Sequence, residues 1–188
     1  MPIRSTQELF LHELAEIYDA EHWLLEGQQE MVQKATEGNL QSAIQRHIRE
    51  TEQHIRNLEQ VFRELAREPQ RGTSEVAQGL VSEARQSIQE VQGDDLQGYA
   101  LRDCAINAAV IKVEHFEIAC YRGMVTGARL QAQTEVVNLL EANLRQEEKT
   151  AETAEQSMEE LLQTAQQAQE RGPIAKAKDK LEDKLKGQ

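Results

Sequence analysis

Apolar residues recur along this chain at helical spacing, and the pattern is interrupted at a few places by acids and histidines. Phe10, Leu14 and Ile17 open a seam that steps by four and three residues, and Glu21 and Leu24 continue it. That is the period of a helix face packed against other helices. Ser5-Thr6-Gln7-Glu8 starts this first helix as a capping box, and Glu37-Gly38-Asn39 stops it just after Ala35, with Asn39 as the next cap. A second helix is predicted over roughly residues 40–67, with the seam Leu40, Ile44, His47, Thr51, His54, Leu58, Val61, Leu65, and Pro69-Gln70-Arg71-Gly72 ends it. The short first connection makes these two helices an antiparallel hairpin.

The next connection is long. Residues 69–95 read as a crossover holding a shorter helix, capped by Thr73-Ser74-Glu75, with Val76, Leu80, Ala84, Ile88 and Val91 on one face. A fourth helix is predicted over roughly residues 96–126, with Gly123 and Gly127 weakening its end. Its seam is Asp103, Asn107, Val110, Glu114, Glu117, Tyr121, Met124. The last helix is predicted over roughly residues 133–169, with the seam Val137, Leu140, Leu144, Glu147, Ala151, Ala154, Met158, Leu161, and Gly172-Pro173 as its stop. The expected organisation is one helical bundle domain over 1–171 and a Lys-rich tail over 172–188, frayed or without fixed structure.

Composition supports an all-α reading. Gln, Glu, Ala, Leu and Arg dominate, with 3 Pro and 4% aromatics in 188 residues, and the β-branched and aromatic clusters of strands are missing. The net charge of −12 argues against nucleic acid or an anionic membrane as partner, the Lys-rich tail notwithstanding. The longest apolar run, Cys104 to Ile111, is far short of the ~20 residues of a membrane span. Cys104 and Cys120 stand on one helix about 24 Å apart, too far to bridge. With no apolar signal core at the N-terminus, a reduced, cytoplasmic setting is expected.

The acids in the seams change the picture. Glu114 and Glu117 occupy slots where Leu would pack well, and an unpaired buried carboxylate is strongly unfavourable. A core salt bridge to Arg102, to Lys112 or to another helix is one compensation, and a bound cation is the other. Glu21, Glu50 and Glu147 put acids on the other three long helices, and the spacing repeats: Glu21 to Glu50 is 29 positions, Glu117 to Glu147 is 30. Two antiparallel hairpins would therefore carry five carboxylates at one depth. His54 is the expected nitrogen ligand. His47 is either a second nitrogen ligand or a core histidine hydrogen-bonded behind the ligands; Tyr18 and Tyr121 either hydrogen-bond the carboxylates or fill the core, and His115 is a supporting or structural residue. Carboxylates with one or two imidazoles suit iron or manganese, and two divalent ions would offset most of the charge.

These residues also carry a resemblance. Glu8-Leu9-Phe10-x-His12-x-Leu14, Tyr18-x-Ala20-Glu21, His47-x-x-Glu50-Thr51-x-x-His54, Leu144-x-x-Glu147-x-x-Thr150 and above all Lys112-Val113-Glu114-His115-Phe116-Glu117-Ile118-Ala119-x-Tyr121 resemble the YciE/YciF family of bacterial stress-associated proteins, within the ferritin-like superfamily. The match spans about Thr6 to Leu162. The resemblance implies a ferritin-like four-helix bundle with a crossover, a di-iron-type centre and a homodimer. It also implies redox chemistry with Fe(II) and O2 or peroxide, a ferroxidase-like activity. The alternative is a non-catalytic structural or interaction protein of the stress response. Two positions depart from the ferritin-like ligand pattern of Glu-x-x-His: Gln53 stands three residues after Glu50, and Thr150 three residues after Glu147.

Overall fold

The computed structural model describes the backbone of residues 3–186 and the side chains of residues 3–171. The elements are α1 (Thr6–Lys34), α2 (Gly38–Glu64), α3 (Glu75–Glu90), α4 (Leu96–Leu130) and α5 (Thr134–Lys186), and there is no strand among the described residues. The α1–α2 and α4–α5 hairpins pack together as a four-helix bundle: α2 lies against α1 and α5, and α4 against α1 and α5. The crossover lays α3 across α1 and α4.

Local chemistry sets the boundaries. Ser5 caps α1 through the Glu8 N–H as the capping box predicts. Glu37, rather than Asn39, caps α2, accepting from the Leu40 N–H at 2.6 Å. The reason lies on α4. The buried Asp103 carboxylate accepts from Thr36 N–H (2.7 Å), Thr36 Oγ1 (2.6 Å) and Glu37 N–H (3.0 Å), which holds the turn tightly and brings Glu37 to the cap.

α2 and α4 end alike. In each case the amide two residues past the last turn reaches back to form a Schellman closure: Arg67 N–H to the Phe62 carbonyl, and Gln133 N–H to the Ala128 carbonyl. The left-handed residues there are Ala66 (φ 53°) and Ala132 (φ 55°), where glycine is usual.

Two helix ends and one buried face differ from expectation. α4 continues through Gly123 and Gly127 to Leu130. Gly127 serves packing, since a Cβ there would lie 3.3 Å from the Phe10 ring of α1. α5 also continues across Gly172-Pro173 to Lys186, and the residues beyond Pro173 are rich in Lys, with Ala and Leu among them, all good helix formers. The tail's side chains fall outside the described residues. On α3 the buried face is Ala77, Val81, Ala84 and Ile88, while Val76 is 56% exposed. Strict four-residue steps drift around a helix by ~40° each, so a face drawn from Val76 to Val91 cannot stay buried. The crossover reaches α3 through Gly72, whose N–H donates to the Ala15 carbonyl at 2.7 Å where a Cβ would meet the α1 backbone at 2.9 Å.

The core has two large apolar clusters separated by a polar layer, and a small third one of Ala100, Cys104, Leu161 and Ala165. One large cluster gathers Leu14, Ile17, Leu58, Val61, Met124 and Leu140. The other gathers Met31, Ile44, Ile106, Val110 and Ala154. Between them on all four long helices lie Glu21, His47, His54, Glu114, Glu117 and Glu147, each at most 3% exposed.

Candidate metal centre

Helical register gathers these residues. Glu114 and Glu117 are one turn apart on α4, and His47 and His54 are two turns apart on α2, so each pair projects from one face. Two groups result. Ligand-type atoms of His47, Glu114, Glu117 and Glu147 lie within 4.8 Å of one another, as do those of Glu21, His54 and Glu147. Glu147 belongs to both, so the two groups form one centre.

The histidines are built alike. His47 turns Nε2 inward, 3.0 Å from Glu114 Oε1 and 3.7 Å from Glu147 Oε2, while its Nδ1 faces Glu50 at 3.6 Å and Thr150 Oγ1 at 3.5 Å. His54 turns Nδ1 inward, 2.8 Å from Glu147 Oε1 and 3.6 Å from Glu21 Oε1, while its Nε2 meets Gln146 Oε1 at 2.8 Å. Each ring thus has its outer nitrogen held by an acceptor and its inner nitrogen directed at the carboxylates. Metal-binding histidines are oriented in this way.

The inward atoms lack hydrogen-bond partners. Glu21 Oε2, His47 Nε2, His54 Nδ1 and both oxygens of Glu114, Glu117 and Glu147 are buried and unpartnered, nine atoms in all. The imidazole–carboxylate approaches are close enough for charge attraction, but their angles are not those of hydrogen bonds. Buried polar atoms in native proteins almost always have partners, and nine orphans converging on one point have the chemistry of a cation site. The charge agrees: four central carboxylates match two divalent ions.

Electrostatics follows from this crowding. Burial, then Glu147, Glu21 and Glu114, holds the Glu117 carboxyl well above the usual range. Burial and then Glu114 push Glu147 up to about 7, against the pull of His54 and His47. Burial alone would lower both histidines. It is outweighed at His54 by Glu21 and Glu147, which raise it to about 10, and at His47 chiefly by Glu114, which raises it well above the ordinary value.

Neither Lys112 nor Arg102 makes the salt bridge to Glu114 or Glu117; the cation-forming group beside Glu114 comes from another helix, His47 of α2 at 3.0 Å. Lys112 pairs with Glu83 on α3, and Arg102 lies near Asp94. Among the residues assigned to the centre from sequence, Glu21, His54, Glu114, Glu117 and Glu147 come together in it. Glu50 does not reach the inner space; it is partly exposed behind His47, whose attraction lowers its pKa. His47, with both roles open from sequence, occupies an inner position. Tyr121 donates its hydroxyl hydrogen to Glu21 Oε1 deep in the core. Tyr18 donates elsewhere, to Glu59 Oε1 at 3.2 Å. His115 is on the surface, paired with Glu155 at 2.7 Å.

Three polar residues were missed. Asn143 donates to the Tyr121 hydroxyl at 3.0 Å and accepts from Asn57 Nδ2 at 2.6 Å. Gln146 holds His54. Gln28 exchanges hydrogen bonds with Thr51 at 3.1 and 3.2 Å beside the centre. The signal for Asn143 was its place one turn before Glu147, on the face the seam had assigned to Leu144.

Residues 5–168 match the model of DUF892, a domain of unknown function. The chain belongs to the DUF892 family. A relative in Escherichia coli (strain K12), protein YciF, is 28% identical over 151 residues, covering 80% of this chain and 88% of that protein. The crystal structure of YciF, described as a stress protein, matches with a TM-score of 0.78 at 25% identity, over 86% of this chain and 99% of that one. YcfI from Rhodopseudomonas palustris, for which a structural role has been suggested, matches with a TM-score of 0.77 at 29% identity, over 81% and 94%. The YciE/YciF resemblance is thus upheld. No helix among the described residues is long and apolar enough to cross a membrane.

Proposed function

We propose that this DUF892 protein is a ferritin-like di-metal carboxylate protein of the cytoplasm, active in the stress response as a homodimer. It holds two divalent ions, iron or manganese, in the bundle core. The observation that carries this reading is the set of nine buried, unpartnered ligand atoms on six residues. Glu147 bridges the two groups. Glu114, Glu117 and His47 serve one side, and Glu21 and His54 the other. His47 replaces the histidine absent after Glu147, so both imidazoles come from α2. Glu50 and Gln146 fix the two rings from outside, and Tyr121 holds Glu21. The apolar clusters on either side exclude water, which strengthens every charge interaction in the layer. A bound redox-active pair would supply electrons to O2 or peroxide as Fe(II) is oxidised to Fe(III).

A second reading is favoured by the suggested structural role of YcfI. In it the layer is a static polar network whose charge is balanced by protonated Glu117 and by His47 and His54 as cations. The two readings separate on anaerobic titration of chelator-stripped protein with Fe(II) and Mn(II), followed by O2 or peroxide with near-ultraviolet absorbance recorded. Saturation at two ions per chain and a ferric signal lost in Glu114→Ala and Glu147→Ala support the metal reading. No binding above background leaves the structural one. His47→Ala is expected to weaken metal binding more than Glu50→Gln does.

A further inference from the structure

A cavity of about 600 Å³ runs beside the centre, between α2 and α5. Its inner end is made by His47 and Glu114, and its floor by Val110 and Val113 of α4 with Met31 of α1. Along α2 it extends from Glu50 to Leu40, about 15 Å. Its origin is visible in the sequence. Where α5 faces α2 beyond Glu147, Thr150, Ala154 and Ser157 are small, and the larger Lys149, Gln156 and Glu160 line it with exposed side chains. Ala43 stands across from them on α2. The helices part there, whereas beyond His54 they close on each other through the Asn57–Asn143 hydrogen bond.

Small residues alone only leave a gap. The second observation is what the gap ends on: His47 (3% exposed) and Glu114 (0% exposed), with Nε2 and both carboxylate oxygens unpartnered. A trough with an apolar floor of Met31, Ile44, Val110 and Val113, polar residues along its sides and convergent polar atoms at one end has the design of a small-molecule site, and its volume lies within the usual few hundred to about 1,000 Å³. Glu114 presents two unpartnered acceptor oxygens at this end, which a hydroxyl satisfies by donating and a carboxylate, itself only an acceptor, does not.

We propose that this trough is the organic substrate site of the centre. It takes an elongated, mainly apolar molecule ending in an uncharged hydroxyl, bound with that end at Glu114 and its chain along Val110, Ile44 and Ala154. The assignment of a substrate rests on the metal reading, but occupation of the trough does not.

The test measures binding of 1-decanol and of decanoate to metal-free, full-length protein by isothermal titration calorimetry, in the wild type and in Ala154→Leu and Ala43→Phe. These variants fill the trough from opposite walls. Each variant is also titrated with Mn(II), which reports an intact fold and centre. The expected result is saturable 1-decanol binding at one site per chain, at least tenfold tighter than decanoate. It should be lost in both variants, or in Ala43→Phe alone if Ala154→Leu fails to fold, while Mn(II) binding persists. Absence of 1-decanol binding to wild-type protein that binds Mn(II) normally overturns the proposal and leaves the metal reading standing. Equal binding in wild type and folded Ala43→Phe overturns it too, as does preference for decanoate. Binding of 1-decanol to a wild type that takes up no metal supports the trough as a ligand site and sinks the metal reading.

Discussion

Replacing Glu117 by leucine has opposite consequences in the two states of the protein. Glu117 is 1% exposed and neither carboxylate oxygen has a partner. Without metal, each unsatisfied buried group costs about 1–3 kcal/mol, and burying a leucine side chain contributes about 2 kcal/mol. Allowing for imperfect packing of the branched side chain, Glu117→Leu should stabilise the metal-free protein by about 2–4 kcal/mol. In a chain of this size each kcal/mol shifts Tm by about 2–4 °C, so metal-free Tm should rise by roughly 4–16 °C. With Mn(II) present, the wild type should gain about 2.7 kcal/mol at a concentration one hundred times Kd. The variant, lacking a ligand, should gain far less. The assay is differential scanning calorimetry of both proteins, chelator-treated and in a Mn(II) series. Glu117→Gln is the control: it keeps an unsatisfied polar group in place, so its metal-free Tm should not rise as the leucine variant's does. A metal-free leucine variant less stable than wild type would refute the reasoning. It would mean that the carboxyl makes favourable contacts of its own, and the centre would then be a self-sufficient polar network.

Further outcomes follow from the same geometry. Glu147 titrates near 7 in the folded protein and Glu117 is raised as well, so the folded state binds more protons than the unfolded one above the ordinary carboxylate value of 4.5. His54, raised from 6.5 to about 10, stabilises fully below 6.5 and loses that contribution as pH climbs to 10. Metal-free stability should therefore fall steadily from pH 5 to pH 9 in denaturant titrations, and a flat or rising profile would contradict these assignments. Added Mn(II) should reverse the trend, because the ligands must be deprotonated to bind. Tyr121→Phe removes the donor to Glu21 and leaves Asn143 Nδ2 with only the His54 carbonyl at 3.4 Å, which should lower stability by about 1–2 kcal/mol and weaken Mn(II) binding 10- to 100-fold in calorimetric titration. Ala66→Gly and Ala132→Gly relieve left-handed alanines at the two Schellman closures, and each should raise Tm by about 2–4 °C with metal binding unchanged.

The bundle was legible because its helices announce themselves through seam periodicity and caps, and the acid positions were legible because charge in an apolar seam is anomalous. What escaped was angular detail. His47 and Glu50 are one turn apart on α2 and differ in direction by only about 60°. Which of them faces inward depends on how α2 is rotated against α5, and that rotation follows from the tertiary pairs Asn57–Asn143 and His54–Gln146. His115 shared a motif with two inward acids, but the motif fixes sequence and not direction. It lies one position beyond Glu114, about 100° around the helix, on the solvent side. The Val76 error is of the same kind: periodicity was right and phase was wrong.

The distribution of the six inner residues over the fold bears on why the fold keeps them. Glu21, His47 and His54 come from the α1–α2 hairpin, and Glu114, Glu117 and Glu147 from the α4–α5 hairpin. The centre is therefore an interface between two halves, and the carboxylates of the second half face both the imidazoles and the one acid of the first. A cation placed there joins the hairpins across a layer that apolar packing does not fill. The apolar clusters above and below can hold the halves together without it, since Leu58 packs with Leu140 in one and Ile44 with Ala154 in the other. The layer between them is where the fold has traded packing for charge. That trade is unfavourable for a purely structural bundle, because well-packed hydrophobic residues in place of buried charges are often neutral or stabilising. Six such residues in register, with both imidazoles braced from outside, are therefore better explained by a bound cation than by the stability of the bundle itself.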